Sequence, residues 1–243
     1  MVTRFSIAVL LTDDLTGAPV TGSNARVWIE GQKPPVRKPD GRHIFVDLPE
    51  GEYVLIAEGG IYSRTEVKCT VSDGRTESLT VRLVPNRQYP VSSDTLCIEG
   101  NAEPGAVIRT YPADKTSAYK LLYDVKKGSD IVGIYHGDNA NIEGKLLKII
   151  SPDDKGEYIR IKSGENSERS EYRLTEKLRG SYPKIGTVVA PVSECTADAG
   201  GRFMILLRSG AGRELVCEAQ GSGKPLRRTI DISGTGCVKA DLT

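Results

Sequence analysis

The sequence predicts an all-β fold, made of two β-sandwiches with a small β-barrel interrupting the second. Three observations support this prediction. Short apolar stretches alternate with polar residues at a period of two, which is typical of half-buried strands. The 26 glycines and 13 prolines punctuate these stretches at short intervals, as in folds with many tight turns. No apolar stretch approaches the roughly 20 residues that a membrane-spanning helix needs.

The N-terminal third carries the clearest strand pattern. Alternation begins over residues 5–11 and predicts a half-buried first strand. Further strands are predicted at 25–29, 44–46, 53–57, 67–71 and 79–83. Pro39-Asp40-Gly41 and residues 72–75 are predicted turns, because proline presets φ and glycine accepts a positive φ. Together these features predict a β-sandwich over residues 1–84.

Three segments of this sandwich carry a family resemblance. They are Asp14–Val20 (DLTGAPV), Lys38–Phe45 (KPDGRHIF) and Leu48–Tyr53 (LPEGEY). They resemble the entry loop, the hairpin and the corner of the carboxypeptidase regulatory-like, or transthyretin-like, fold. The resemblance covers residues 3 to 84 and implies a structural or binding module, because this fold hosts many unrelated roles.

A weaker copy of the same pattern follows in two pieces, at 103–108 and 196–207. The long gap between them predicts an insertion, which loops tolerate because their ends lie close together. The second transthyretin-like or immunoglobulin-like sandwich then comprises 95–117 plus 183–243. Residues 118–182 form the insertion, whose short strands predict an SH3-like or OB-like barrel with a polar turn at 164–170. We expect this barrel to be dispensable for folding and essential for association.

Residues 85–94, which contain Pro85 and Pro90, predict a short linker between the sandwiches, so residues 1–86 are expected to fold alone. The run from Arg82 to Pro90, followed by residues 95–100 (TLCIEG), resembles tandem transthyretin-like bacterial proteins. Such proteins are associated with phage-tail-like contractile injection particles. The resemblance implies a baseplate or accessory component, although Cys97-Ile98-Glu99 departs from the usual arginine-rich form.

Charge and cysteine content narrow the function classes. With 33 Lys and Arg against 32 Asp and Glu, the formal charge of +1 excludes non-specific electrostatic binding of nucleic acid by the chain as a whole. Five cysteines form no C-x-x-C pair, so buried free thiols in a reducing compartment are expected, with a disulfide between two of them as the alternative. We expect synthesis in the cytoplasm without a signal peptide, with release inside a larger particle as an option.

Residues that could carry chemistry are few. His43 and His136 lie in no recognisable catalytic group, and replacing both with alanine is expected to preserve activity. Arg179-Gly180-Ser181 resembles the terminal motif of 5-hydroxyisourate hydrolases but lies in mid-chain. Asp13-Asp14 and Asp153-Asp154 lack the alternating ligands of a calcium loop, so solvated turn acids are expected. No catalytic, cofactor-binding or metal site is therefore predicted.

The predicted barrel is locally basic and rich in tyrosine. Its residues of this kind are Lys126, Lys127, Lys145, Lys148, Arg160, Lys162, Tyr119, Tyr123, Tyr135 and Tyr158. Basic and aromatic residues together suit an OB-like nucleic-acid groove. Interspersed acids such as Glu143 and Glu157 favour the alternative, a solvated barrel surface, so no nucleic-acid partner is predicted.

Two function hypotheses follow. The first is a non-enzymatic structural or docking subunit whose partners are other protein subunits, with further copies of this chain as an option. The second is a carbohydrate- or cell-surface-binding module, for which Trp28 on the outer side of the second strand is the candidate aromatic platform. Neither hypothesis involves membrane insertion.

Overall fold

The computed structural model describes residues 4–21, 24–72, 75–92, 95–137, 141–162, 170–207, 212–234 and 236–243. The predicted turns at 72–75 and 164–170 fall largely outside these ranges. The described elements are strands, apart from one 3-10 turn at Lys115–Ser117, which confirms the all-β prediction. The chain divides into two compact units, Met1–Pro90 and Val91–Thr243.

Seven strands form the first unit over the residues that the structure describes. They are β1 (Phe5–Asp13), β2 (Ala25–Ile29), β3 (Val36–Arg37), β4 (Arg42–Val46), β5 (Gly51–Gly59), β6 (Tyr62–Val71) and β7 (Glu77–Leu83). They make two sheets, ordered β3-β4-β1-β7 and β2-β5-β6. Ile7 and Leu11 from the first sheet share one core with Val27 and Leu55 from the second. The unit is therefore a β-sandwich, and its alternating residues are the ones that lie inside.

The turn at Pro39-Asp40-Gly41 is confirmed. Gly41 has a φ of +85°, which glycine adopts without strain. Its amide donates to the Lys38 carbonyl, and an Asp40 carboxylate oxygen accepts the Arg42 amide at 3.0 Å. The turn leads directly into β4, which begins at Arg42, two residues before the predicted strand at 44–46.

The predicted linker begins too early. Pro85 is buried and bridges Tyr62, and the Asn86 amide donates to the Ile61 carbonyl. Tyr89 packs against the core of the first unit. Residues 85–90 therefore fold with the first sandwich, because Tyr89, which lies between the two prolines, packs its aromatic side chain against this core.

The described part of the second unit contains thirteen strands. They are β8 (Cys97–Asn101), β9 (Val107–Pro112), β10 (Tyr119–Leu121), β11 (Ile131–Tyr135), β12 (Leu146–Ile150), β13 (Tyr158–Arg160), β14 (Glu171–Arg173), β15 (Val188–Pro191), β16 (Ser193–Thr196), β17 (Arg202–Leu206), β18 (Glu214–Gln220), β19 (Leu226–Asp231) and β20 (Cys237–Lys239). Two of its sheets, β17-β8-β20 and β16-β9-β18-β19, share one core that includes Ile98, Ile108, Phe203 and Leu215. These two sheets form a second β-sandwich.

The third sheet of this unit has the order β13-β12-β15-β10-β11-β14. Its edge strands meet, because Ile161 bridges Leu174 and the Lys162 amide donates to the Arg173 carbonyl. The sheet thereby closes around its own core of residues such as Leu147 and Val189, and we call it the barrel. β9 and β16, which flank the barrel in sequence, pair with each other.

One predicted boundary of the barrel is wrong. Val188 and Val189 were expected in the second sandwich, but β15 pairs with β12 and β10. Val189 is fully buried in the barrel core, so its apolar side chain gains more there than at the edge of the sandwich. The last barrel strand therefore ends at Pro191 rather than before residue 183.

The expectation of free thiols is wrong for two cysteines. Cys97 and Cys237 stand opposite each other on the parallel strands β8 and β20 and form a disulfide, with their Cα atoms 4.4 Å apart. Cys69, Cys195 and Cys217 are free. Burial raises the pKa of each of these three thiols to about 12, which makes them unreactive.

Candidate functional site: the barrel of the second unit

The barrel packs against the second sandwich along a contact that we call the seam. Its apolar part buries Tyr111 of β9 and Val216 of β18 against Ile150 of β12 and Ala190 of β15. Tyr111 and Val216 point outward from their sheet. Their chain neighbours Thr110 and Cys217 are buried inside the sandwich, and successive residues of a strand point to opposite faces. The outer face of one sheet is thus covered by the barrel.

Glu218 is the centre of the polar part of the seam. Its two carboxylate oxygens accept hydrogen bonds from the hydroxyls of Tyr111 and Tyr158, each at 2.5 Å. Lys148 and Arg227 place nitrogens 3.8 Å from the same carboxylate. Burial favours the neutral acid, but the tyrosine hydroxyls and the cations outweigh it and lower the pKa of Glu218.

Cations and rings extend this network across the seam. Lys148 lies 4.0 Å from the centre of the Tyr158 ring, and the Arg109 guanidinium lies 4.5 Å from it. Arg109 and Arg160 both bond the Glu194 carboxylate, at 2.7 and 3.2 Å. Burial, with the nearby arginines, lowers the pKa of Lys148 despite Glu218. The seam therefore joins barrel and sandwich through several paired charges and holds the barrel in one orientation.

Another part of the barrel wall, formed by β10, β11 and β14, carries exposed aromatic residues. Tyr135 is 59% exposed and Tyr123 is 37% exposed. The Tyr123 ring covers Gly133, where a Cβ would lie 2.6 Å from the ring, and its hydroxyl donates to Glu171 at 3.1 Å. Glycine at 133 is what allows the ring to lie flat on the sheet.

His136 follows Tyr135 in the chain and contacts two other tyrosines. Its Nε2 is 2.8 Å from the Tyr172 hydroxyl, and its ring centre is 5.6 Å from that of Tyr119. Tyr119 and Tyr172 also pack against the barrel core. We call the two exposed tyrosines, Tyr123 and Tyr135, the aromatic surface.

The basic and aromatic residues that the sequence groups together are separated in the structure. Lys148, Arg160 and Tyr158 lie in the seam, where carboxylates of the sandwich pair with the two cations. Tyr135 lies in β11 and the Tyr123 ring covers Gly133 of the same strand, so both belong to the aromatic surface instead. A single basic and aromatic groove is therefore not formed by these five residues.

In the first unit, the candidate residues are His43, which is buried, and Trp28, which is half-buried. His43 is 6% exposed in β4, and burial together with Arg37 lowers its pKa. Trp28 is half-buried on β2, with the guanidinium carbons of Arg26 and Arg64 lying 4.8 and 5.9 Å from its ring centre. Its ring is thus partly covered by two cations of its own unit.

Asp13 is not the solvated turn acid that the sequence predicts. It is 4% exposed, and one oxygen accepts the Tyr62 and Tyr89 hydroxyls at 2.9 and 2.6 Å. The other oxygen accepts the amides of Leu15 and Thr16. Burial alone would raise the pKa of Asp13, but these hydrogen bonds lower it.

The remaining candidates have structural partners. Asp153 pairs with Lys155 at 2.9 Å, and Asp154 pairs with Arg227 at 3.2 Å. In the Arg179-Gly180-Ser181 segment, the amides of Arg179 and Gly180 donate to the Glu157 carboxylate. Among the described residues, no three His, Cys, Asp or Glu side chains come together to hold a metal ion. The described part of the chain also holds no helix long and apolar enough to span a membrane.

No protein-family model and no curated protein matches the chain. Among solved structures, the Bacillus anthracis TIE protein is similar over 99% of this chain and 51% of its own, with 11% sequence identity and a TM-score of 0.29. The chain thus spans about half the length of that protein. At this TM-score the likeness carries no argument about fold or function.

Proposed function

We propose that this chain is a non-enzymatic structural protein that docks other protein subunits through the aromatic surface of its barrel. One observation supports the proposal: two parts of the barrel wall differ. Strands β12, β13 and β15 are fixed to the sandwich by the seam, whereas the part formed by β10, β11 and β14 presents Tyr123 and Tyr135 to solvent. Tyrosines held on a rigid support lose little entropy on binding, and they are enriched in protein interfaces.

The finer fold assignment belongs to the same proposal. We infer that both sandwiches are transthyretin-like and that the barrel is an SH3-like or OB-like insertion into a loop of the second. The strand orders β4-β1-β7 and β17-β8-β20 correspond, as do β2-β5-β6 and β9-β18-β19. The pairing of β9 with β16 on either side of the barrel supports the insertion.

The specific setting that we propose is a subunit of a phage-tail-like contractile injection particle, in the baseplate or as an accessory component. It rests on the sequence resemblance of the join between the sandwiches. The Cys97–Cys237 disulfide supports a mature protein that resides outside a reducing cytoplasm, as a released particle does.

Sedimentation of the full-length tagged chain in lysates of the producing cells tests the docking proposal. We expect the wild-type chain in fast-sedimenting fractions and the Tyr135→Ser variant in the fractions of a free 26.3 kDa protein. Phe5→Ser is the matched control, because Phe5 is similarly exposed, at 52%, but lies in the first unit. A wild-type chain that sediments as a free monomer, or a Tyr135→Ser variant that still sediments with the assembly, contradicts the proposal.

The second candidate function is binding of a carbohydrate or another cell-surface ligand at Trp28. The observation that favours it is the position of this ring on the outer face of β2, beside Arg26 and Arg64. Arg26 pairs with Glu58 and Arg64 pairs with Glu66, so an anionic sugar would have to replace these carboxylates, whereas a neutral sugar would have to displace the guanidinium groups from the ring.

Trp28 is the single tryptophan of the sequence, so its fluorescence reports this site directly. Titration with sialic acid, and with glucose as the neutral control, tests the second candidate. A saturable change with sialic acid that is lost in Arg26→Gln supports it. Unchanged fluorescence up to millimolar concentrations of both sugars excludes these ligands.

A further inference from the structure

Both sandwiches place their first and last strands side by side and parallel. In the first unit β1 pairs with β7 over seven residue pairs, from Ile7–Glu77 to Asp13–Leu83. In the second unit β8 pairs with β20 over three residue pairs, and the chain continues with hydrogen bonds from Ala240 to Glu99 and from Leu242 to Asn101. The two ends of each sandwich therefore leave in opposite directions along adjacent strands.

This geometry decides how each sandwich responds to tension. When the ends of two adjacent parallel strands are pulled apart, the strands are loaded in shear, so the hydrogen bonds between them resist together rather than one by one. The resistance then depends on the number of bonds and on the side chains that anchor the last strand. The two units differ in both respects.

The last strand of the second unit is anchored by fewer large buried side chains than the last strand of the first unit. β7 buries three large side chains, Leu79, Val81 and Leu83. The corresponding segment of the second unit buries only Ala240 and Leu242 among its described residues and exposes Cys237 and Lys239. The disulfide joins Cys97 and Cys237, which are the first residue pair of β8 and β20.

We propose that the disulfide makes the second unit a tension-bearing link in which the load bypasses the barrel. Tension that arrives at Cys97 crosses the sulfur–sulfur bond to Cys237, so the chain enclosed between them carries none of it. The barrel, with its aromatic surface, lies inside this enclosed chain, at residues 119–191. The surface therefore stays folded while the chain is under load. This inference does not depend on what the barrel binds.

Single-molecule stretching of the full chain, with handles at both ends, tests the proposal. The cysteines enclose a sequence separation of 140, so a sandwich that opens without the disulfide releases roughly 48 nm of chain, at about 3.4 Å per residue. We expect the oxidised wild-type chain to show only the step of the first unit, about 31 nm for its 90 residues. After reduction in place with a phosphine, we expect the additional 48 nm, in one step or several, at a lower force than the first unit needs.

The Cys97→Ser/Cys237→Ser variant is expected to show the additional steps without reductant, and the phosphine should not change it further. Reduction of the folded wild-type chain provides the same information if this variant does not fold. A 48 nm release from the oxidised chain overturns the proposal, because the load then does not cross the disulfide. Release from the reduced chain at a force equal to or above that of the first unit also overturns it, because the strand pair alone then suffices.

Discussion

The two sandwiches hold their last strand beside their first strand in different ways. Each has a hairpin that starts the strand next to its first strand, and the hydrogen bonds of the two hairpins match. Gly41 donates to Lys38 and Lys38 to Arg42, just as Gly201 donates to Asp198 and Asp198 to Arg202. The first sandwich then closes by burying large side chains of β7, whereas the second uses a short strand and a disulfide. Equal topology therefore does not imply equal sources of stability.

The largest expected effect is the loss of the disulfide. We expect Cys97→Ser/Cys237→Ser to lower the free energy of unfolding of the second unit by up to about 5 kcal/mol, because the bond closes a loop of 140 residues in the unfolded chain. Urea unfolding checks this with two probes. Trp28 fluorescence reports the first unit, and the far-ultraviolet circular dichroism reports both.

If the two units unfold independently, the double variant shifts the unfolding transition of the second unit and leaves that of the first unit unchanged. The transition seen by Trp28 fluorescence should stay within about 0.5 kcal/mol of the wild-type value, since the first unit contains neither cysteine of the pair. A Cys195→Ala variant controls for the loss of a thiol from the same unit. An equal shift of both transitions would mean that the two units unfold as one.

The next effect concerns Glu218, a carboxylate that accepts two tyrosine hydroxyls as Asp13 does in the first unit, but that also faces two cations. Replacing it with glutamine removes the charge that faces Lys148 and Arg227 and weakens the bonds from two tyrosines. We expect a loss of about 2–3 kcal/mol in the second unit at pH 7. Glu214→Gln, an exposed position on the same strand, should change stability by less than about 0.5 kcal/mol.

The pH dependence of the same variant follows from the lowered pKa of Glu218. A carboxyl whose pKa is lower in the folded state stabilises the fold above its ordinary value of 4.5, and the contribution disappears as the pH falls through the folded value. Between pH 7 and pH 3, the wild-type second unit should therefore lose more stability than Glu218→Gln. Equal losses would show that Glu218 does not link protons to folding.

A smaller effect is expected where the first unit ends. Residues 1–90 should be more stable than residues 1–86, because only the longer fragment contains Tyr89, which donates to Asp13. In the full chain, Tyr89→Phe removes this single hydrogen bond and should cost about 1–2 kcal/mol by Trp28 fluorescence. Tyr53→Phe is the control, because the Tyr53 hydroxyl bonds an exposed carbonyl. Equal stability of the two fragments would restore the linker boundary at residue 85.

The sequence predicts the local features of this molecule better than its long-range pairings. Alternation and turn residues predict six of the seven described strands of the first sandwich, all except β3, and the turn at Gly41, since these features depend on neighbouring residues. The Cys97–Cys237 bond and the Tyr89–Asp13 bond join residues far apart in the chain, at separations of 140 and 76. No periodicity encodes such pairings.

The candidate site shows the same division. The tyrosines of the barrel are visible in the sequence. Which of them lie in the seam and which form the aromatic surface depends on which strands of the barrel face the sandwich, and the sequence does not show this. One signal for the seam was present: Val216 and Glu218 alternate with the inward residues of β18, so both point outward. The buried Tyr111 and Val216 also change the expectation for the barrel, because deleting it would expose them and destabilise the sandwich.

The smallest expected effect compares the two histidines, one in each unit. His43 is buried, and its pKa is lowered by burial and by Arg37, so the folded first unit keeps it neutral where an unfolded chain would protonate it. A base with a lowered pKa stabilises the fold above its ordinary value of 6.5, and that contribution is lost as the pH falls below it. Urea unfolding followed by Trp28 fluorescence should therefore show a modest loss of stability between pH 7.5 and pH 5.5. His43→Gln, although less stable throughout, should show a smaller loss over this range, whereas His136→Gln should leave the fluorescence transition at both pH values as in the wild type, because His136 lies in the second unit. If His43→Gln retains the full pH dependence, another group of the first unit is responsible and His43 is only a packing residue.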